Sequence, residues 1–282
     1  MNNIIWIILD SCRYDTFMAA EKKYFNRVGE IYKRYSYASW TSPSHYTFLM
    51  GMIPHTSPAG VFASNVYREE FKLWNDRVGG EKQLTFADFV PELNLVKRLN
   101  LLGYRTIGRV SLPVLNQKTT MSSYFDDYKL MENHNDFKGM VEEITFLSDR
   151  PTFYFLNLGE THYPYMLQDE NLPHISGVHG VFKNLDDFVI HQDDAGKYDA
   201  DNFFTHPEMQ RLKQQQIKTV EYCDAIFGEL LKKCPDNTYF IITSDHGELF
   251  GEEGYFGHGP IMHEKVFEVP YIEGKFDRSM VT

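Results

Sequence analysis

Four short stretches of the chain carry side chains able to bind a metal or an anion. Asp10 ends the apolar run Ile4–Leu9, His162 comes shortly after Thr152–Leu158, and Asp245-His246 follows Tyr239–Thr243. The fourth, Ser39-Trp40-Thr41-Ser42-Pro43-Ser44-His45, gathers four hydroxyls and an imidazole into seven residues. Asp10 with Asp245-His246 supplies two hard oxygens and one imidazole, a donor set suited to Zn²⁺, Mn²⁺ or a related divalent ion. Each residue alone has a plainer explanation. A strand-end aspartate caps the next helix, Asp-His-Gly marks a turn, and hydroxyls before a proline cap a helix.

Chemistry needs these residues together, so the elements that carry them decide the matter. Ile4–Leu9 is a continuous apolar run rich in β-branched residues, the pattern of a parallel strand buried on both faces. Thr152–Leu158 (TFYFLNL) and Tyr239–Thr243 (YFIIT) repeat it, and Tyr104–Val110 is a shorter candidate behind a Leu-rich helical segment from about Phe86 to Leu102. Apolar positions at Leu212, Ile217, Val220, Ile226, Phe227, Leu230 and Leu231 predict a helix over Pro207–Lys233, with Lys232 and Lys233 in the last turn, where cations suit the dipole. A further helix follows Pro43, with Thr41 or Ser42 as N-cap and Pro43 at its first position.

Strands alternating with helices predict an α/β fold: a doubly wound, mostly parallel sheet with helices on both faces. Ligands of such sheets bind beyond the carboxyl ends of the strands, which would gather Asp10, His162 and Asp245-His246 in one crevice. Residues 1–282 read as a single domain with a polar loop excursion at about 174–206.

Hydrophobic residues make up 43% of the chain, enough for a substantial core, and the formal net charge of −11 argues against a nucleic-acid-binding surface. It leaves room for a local pocket taking a small anionic ester. Cys12, Cys223 and Cys234 form no CxxC pair and fit a reducing compartment. The apolar run at the N-terminus lacks a basic leader and a cleavage site, and no stretch approaches the ~20 apolar residues of a membrane span. The expectation is a soluble, cytoplasmic protein.

The stretch Thr243–Pro270, TSDHGELFGEEGYFGHGPIMHEKVFEVP, resembles the C-terminal signature of the alkaline phosphatase/sulfatase superfamily: Ser-Asp-His-Gly at a strand end, a glycine-rich loop carrying a His, and a segment closing on Val-Pro. Ile8-Leu9-Asp10 with Arg13-Tyr14-Asp15 resembles its N-terminal metal-binding strand end. Phe155-Leu156-Asn157 through His162-Tyr163-Pro164-Tyr165 resembles its central strand, and Pro207–Lys233 with Tyr222 and Asp224 its long helix. Thr41-Ser42-Pro43-Ser44-His45, with Gly51-Met52-Ile53-Pro54-His55 after it, resembles the sulfatase motif Cys/Ser-x-Pro-Ser-Arg and its Gly-x-x-Pro-His turn. The resemblance runs from Ile4 to Pro270 and implies an alkaline phosphatase-like fold with Thr41 at the nucleophile position. It further implies a metal held by Asp10, Thr41, Asp245 and His246, with His162 and His258 contacting the oxyanion or protonating the leaving group. His45 and His263 are further candidates for the substrate or a second metal.

Three departures narrow the expectation. Thr41 cannot become formylglycine and His45 replaces the motif Arg. Threonine at this place is typical of relatives that attack phosphorus, namely nucleotide pyrophosphatase/phosphodiesterases, phosphoethanolamine transferases and lipoteichoic-acid synthases. Asp10 is followed by Ser11 rather than a second Asp, which favours one divalent ion (Mn, Zn or Ca) over two. Only 12 residues follow Pro270, so the family's C-terminal subdomain is expected to be short or missing. The reading is a metal-dependent hydrolase or transferase of phosphate or sulfate esters. A formylglycine-independent sulfatase and a catalytically silent, anion- or protein-binding domain are the alternatives.

Overall fold

The computed structural model describes residues 1–56, 63–81, 84, 93–168, 172, 182–183, 204–259 and 261–281. In chain order the elements are β1 (Asn3–Leu9), α1 (Tyr14–Ala19), α2 (Phe25–Val28), β2 (Tyr32–Tyr35), α3 (Thr41–Leu49), α4 (Ala63–Val78), α5 (Leu95–Leu101), β3 (Arg105–Val110), β4 (Asp127–Leu130), α6 (Phe137–Glu143), β5 (Thr152–Leu158), β6 (Phe182–Lys183), α7 (His206–Lys233), β7 (Thr238–Thr243), β8 (Leu249–Phe250), β9 (Tyr255–Gly257), α8 (Glu264–Phe267) and β10 (Glu268–Lys275).

All residues of β1 and β5 are buried, which is why their sequences run apolar without alternation. Alternate residues of β1 serve two different cores. Ile5, Ile7 and Leu9 pack with Phe17, Phe25, Val220, Phe227 and Leu230 under α1, α2 and α7. Ile4, Trp6 and Ile8 pack with Phe48, Trp74, Val96 and Leu99 under α3, α4 and α5. A sheet with apolar contacts on both faces and helices over each is doubly wound.

The seven-stranded sheet has the order β2-β10-β7-β1-β5-β3-β4. From β7 to β4 every pair is parallel, so β1, β5 and β7 present their carboxyl ends at one edge. β10 runs antiparallel to both β7 and β2, so the residues after Val269-Pro270 add a strand to the central sheet. A three-stranded sheet, β6-β9-β8, sits beside a small third core of Tyr163, Tyr165, Phe204, Met209, Leu212, Phe250 and Phe256.

Two helices set the frame of the site. α7 starts one residue earlier than the apolar spacing predicts, at a capping box in which Thr205 Oγ1 accepts from the Glu208 N–H and the Glu208 carboxylate accepts from the Thr205 N–H. α3 differs more from the sequence expectation. Its N-cap is Trp40, with no side-chain cap, so Thr41 occupies the first helical position and Pro43 the third. Pro43 is tolerated because the first turn of a helix lacks intrahelical partners for its N–H groups. Thr41 therefore keeps its hydroxyl for another partner.

Residues 86–92 of the helical segment expected over about Phe86–Leu102 lie outside the described residues, and α5 supplies most of the remainder. Most of the polar excursion at 174–206, with His174, His179 and His191, also lies outside them. Among the described residues no helix is long and apolar enough to cross a membrane.

Candidate active site and metal centre

Asp10 follows β1, Asp245-His246 follows β7, and their ligand atoms lie within 4.8 Å of one another, all three side chains fully buried. Ser11, next along the chain, holds a left-handed φ of 59°, a strained conformation for a residue with a Cβ. That turn aims the Ser11 N–H at Asp245 Oδ1 (3.1 Å), its Oγ at Asp10 Oδ1 (3.2 Å), and tethers the two carboxylates. Asp10 Oδ2 accepts from Asn157 Nδ2 at 2.8 Å, and Asp245 Oδ1 also accepts from the His246 N–H at 3.0 Å.

Burial pushes both carboxyls up to about 7, and the charge of Asp245 adds to the effect on Asp10. His246 Nδ1–H donates to the Gly247 carbonyl at 2.9 Å, which leaves Nε2 as a lone pair. That lone pair faces Asp245 Oδ2 and Thr41 Oγ1, each 3.3 Å away. Asp245 Oδ2 is buried without a hydrogen-bond donor. A carboxylate oxygen and an imidazole lone pair at that distance repel unless a proton or a metal cation lies between them. The donor set therefore fits a divalent cation on its own electrostatics, with Asp10, Asp245 and His246 as ligands and Thr41 Oγ1 beside them.

Thr41 reaches this cluster because α3 is fastened to the end of β7. Ser44 Oγ donates to the Asp245 carbonyl at 2.8 Å, and Ser36 Oγ makes a short bond to the same oxygen. His45 is fully buried with both ring nitrogens engaged. Nδ1 donates to the Thr41 carbonyl one turn back (2.8 Å), and Nε2 accepts from Asn157 Nδ2 (3.2 Å). Burial lowers its pKa to about 4, so it is neutral. The imidazole at the motif Arg position thus braces α3 against β5.

His162 and His258 extend the site outward. The ring centroids of His246 and His258 are 4.3 Å apart, and those of His258 and His162 are 5.5 Å apart. His162 Nδ1 donates to the Tyr163 carbonyl at 2.9 Å, and burial lowers its pKa. His258 Nδ1 faces Glu248 Oε1 at 3.2 Å, and the other Glu248 oxygen takes a short bond from the Tyr165 hydroxyl. Burial raises the Glu248 pKa. His263 instead caps α8, its Nδ1 accepting from the Lys265 N–H at 3.1 Å.

Of the other motif residues, Arg13 and Asp15 form an ion network with Lys213 and Glu252. Asp224 accepts from the N–H groups of Lys23, Tyr24 and Phe25 and so holds the start of α2.

Sequence reasoning overlooked Asn157, Ser11, Glu248 and Gln216. Asn157 was visible as the one amide in TFYFLNL, and Glu248 stands two residues after His246. Gln216 breaks the apolar face of α7. It is fully buried, donates to the Ser11 and Thr161 carbonyls (3.0 Å each) and accepts from Thr16 Oγ1 (2.6 Å), so one amide joins the loops after β1 and β5.

The mostly parallel sheet, with Asp10 after β1 and Asp245-His246 after β7, has an alkaline phosphatase-like fold. The sulfatase family model matches residues 2–272, and the chain belongs to that family. No curated protein sequence matches it. Among solved structures it is similar to the C-terminal periplasmic domain of phosphoethanolamine transferase EptC from Campylobacter jejuni, with 13% identity, a TM-score of 0.53 and coverage of 99% of this chain and 80% of that one. It is similar to BT4656, solved with its substrate D-glucosamine-2-N,6-O-disulfate, at 15% identity and a TM-score of 0.57 over 97% of this chain and 71% of that one. A protein in the alkaline phosphatase superfamily from Vibrio parahaemolyticus matches at 14% identity and a TM-score of 0.53, over 98% of this chain but 60% of its own length. At these identities the likeness is one of fold.

Proposed function

We propose that this chain is a metal-dependent hydrolase or transferase of phosphate or sulfate esters, with Thr41 as nucleophile and one divalent ion held by Asp10, Thr41, Asp245 and His246. The observation that carries the reading is the Thr41 hydroxyl at the first position of α3. It is unused as a cap and lies 3.3 Å from the His246 lone pair that borders the carboxylate pair. A bound divalent cation supplies a lowered pKa for that hydroxyl and a counter-charge for the non-bridging oxygens of the ester.

The residues divide the remaining work. The N-terminus of α3 offers its unpaired N–H groups to the anion. Thr41 Oγ1, its proton given up to solvent, forms a bond to phosphorus or sulfur as the bond to the alcohol oxygen breaks. His258, oriented by Glu248, hydrogen-bonds a non-bridging oxygen. His162 is neutral before substrate binds. A negative ester beside it raises its pKa, so the ring can protonate the leaving oxygen and later accept the proton of water or an acceptor hydroxyl. Release of the threonine ester to water gives hydrolysis, and release to an alcohol gives transfer.

Phosphorus is favoured over sulfur by simple chemistry. Oxidising the secondary alcohol of threonine yields a ketone, not the aldehyde of formylglycine. The family match supports the second reading, a sulfatase working without formylglycine. The silent reading is disfavoured by the cost of keeping two carboxyls and an orphaned oxygen buried without a cation. Wild type and Thr41→Ala assayed on aryl phosphate, phosphodiester and aryl sulfate with Mn²⁺ or Zn²⁺ test the proposal. Turnover by wild type that disappears in Thr41→Ala is expected, and equal turnover by the two proteins refutes the nucleophile.

A further inference from the structure

Two neighbouring glutamines of α7 grip the loop that carries His162. The buried amide of Gln216 donates to the carbonyls of Ser11, after β1, and Thr161, after β5, each at 3.0 Å. Its Oε1 accepts from Thr16 Oγ1 at 2.6 Å and from the Arg13 N–H at 3.4 Å, so both polar atoms of the amide are engaged. Gln215 donates to the Tyr165 carbonyl at 3.1 Å. His162 thus lies between two carbonyls anchored to one helix, and its own N–H closes a turn on the Gly159 carbonyl at 3.1 Å.

The other anchor, at Ser11, belongs to the carboxylate pair. The left-handed turn at Ser11 ties Asp245 to Asp10, and a turn of that kind persists only where its surroundings hold it. Gln216 holds its carbonyl. Thr161 Oγ1 closes the triangle by donating to the Asp10 carbonyl at 2.8 Å. α7 runs for 28 residues and packs on the sheet through Val220, Phe227, Leu230 and Leu231, so both loops are set against a rigid bar. Glutamine suits the place because it offers two donors on one uncharged group. Glutamate would turn an acceptor towards the two carbonyls, and methionine would leave both without a donor.

We infer that Gln216 is a positioning residue for the reaction: through the Ser11 and Thr161 carbonyls it fixes the reach of His162 to an ester bound at Thr41, and Gln215 steadies the far side of the same loop. This role rests on the proposed function, in which Thr41 attacks and His162 protonates the leaving oxygen. Misplacing a reacting group by ~1 Å costs about a hundredfold in rate, so a partial slackening of the loop is measurable.

Two measurements test it. The first compares turnover by the Mn²⁺-loaded protein on the phenyl and 4-nitrophenyl esters of phosphoric or sulfuric acid. Phenol is the weaker acid, so its ester needs more proton donation as the bond breaks. His162→Ala should lose about tenfold more kcat on the phenyl ester than on the nitrophenyl ester, and Gln216→Met should follow it with KM little changed. Gln215→Met should show a smaller loss in the same direction. The second is amide hydrogen exchange without added metal. Gln216→Met should speed the Cys12 and His162 amides about tenfold, and Gln215→Met the His162 amide alone, with β1 and β7 unmoved in both. Equal losses by Gln216→Met on the two esters overturn the positioning role, as does faster exchange in only one loop or throughout the sheet. Equal losses by His162→Ala overturn the acid assigned in the proposed function, and the role of Gln216 falls with it.

Discussion

Without a cation the protein should lose stability as pH rises, and Asp245→Asn should remove the part of that loss that Asp245 carries and lessen the part that Asp10 carries. Both carboxyls of the Asp10–Asp245 pair are fully buried, and burial pushes each from the ordinary 3.8 to about 7. A group whose pKa is higher in the fold than in the open chain contributes stability below its ordinary value and loses it as pH climbs through the raised one. The damaging window for the metal-free chain therefore runs from about pH 4 to above 7. At ~1.36 kcal/mol per pKa unit, a single carboxyl of this kind costs on the order of 4 kcal/mol once ionised. That is a large share of the roughly 5–15 kcal/mol that holds a domain together.

In Asp245→Asn the retained Oδ1 still accepts from the Ser11 and His246 N–H groups, while the new Nδ2 replaces the orphaned Oδ2 and donates to His246 Nε2. Thermal unfolding at pH 5 and pH 8, with chelator or with Mn²⁺, reads this directly. Wild type in chelator should melt roughly 10 °C lower at pH 8 than the variant does, relative to their values at pH 5. Mn²⁺ should rescue wild type and leave Asp245→Asn unmoved. A variant as pH-sensitive as wild type, or one stabilised equally by Mn²⁺, refutes the reasoning.

Asn157→Leu should lower metal affinity by about 10–100-fold in a competition titration, because Asp10 and His45 both lose the amide that orients them. Glu248→Gln removes the negative partner of His258; turnover should fall about 10–100-fold with metal content unchanged, whereas a purely structural Glu248 would change stability alone. Burial acts to raise the Asp15 pKa, yet Arg13 and Lys213 hold it down at about 2. Its stabilising effect is present above its ordinary value and lost as pH falls through about 2, so Arg13→Met should flatten the acid limb of a stability-against-pH curve between pH 4 and 2.

The strands were legible because burial on both faces leaves an unbroken apolar run, and β1, β5 and β7 carry little else. Their carboxyl ends were legible for the same reason, since Asp10 and Asp245-His246 are the first charged groups after such runs. What the sequence concealed lies in contacts between distant segments. Gln216 looks like a defect in an apolar helical stripe, and only the fold reveals two loops from opposite parts of the chain meeting at its amide.

His45 shows where a motif misleads. At a position where a cation would suit an anionic ester, a histidine suggests a substitute cation. The decisive quantities are its complete burial and its hydrogen bond to the carbonyl four residues back, neither of which residue type specifies. A neutral ring pinned at both nitrogens supplies no charge to a substrate, so under the proposed function a cation held by Asp10, Asp245 and His246 would carry more of the counter-charge at this centre. On that proposal the histidine at the motif Arg position and a reliance on metal would be one feature, since a site with fewer fixed positive side chains leans more heavily on an ion.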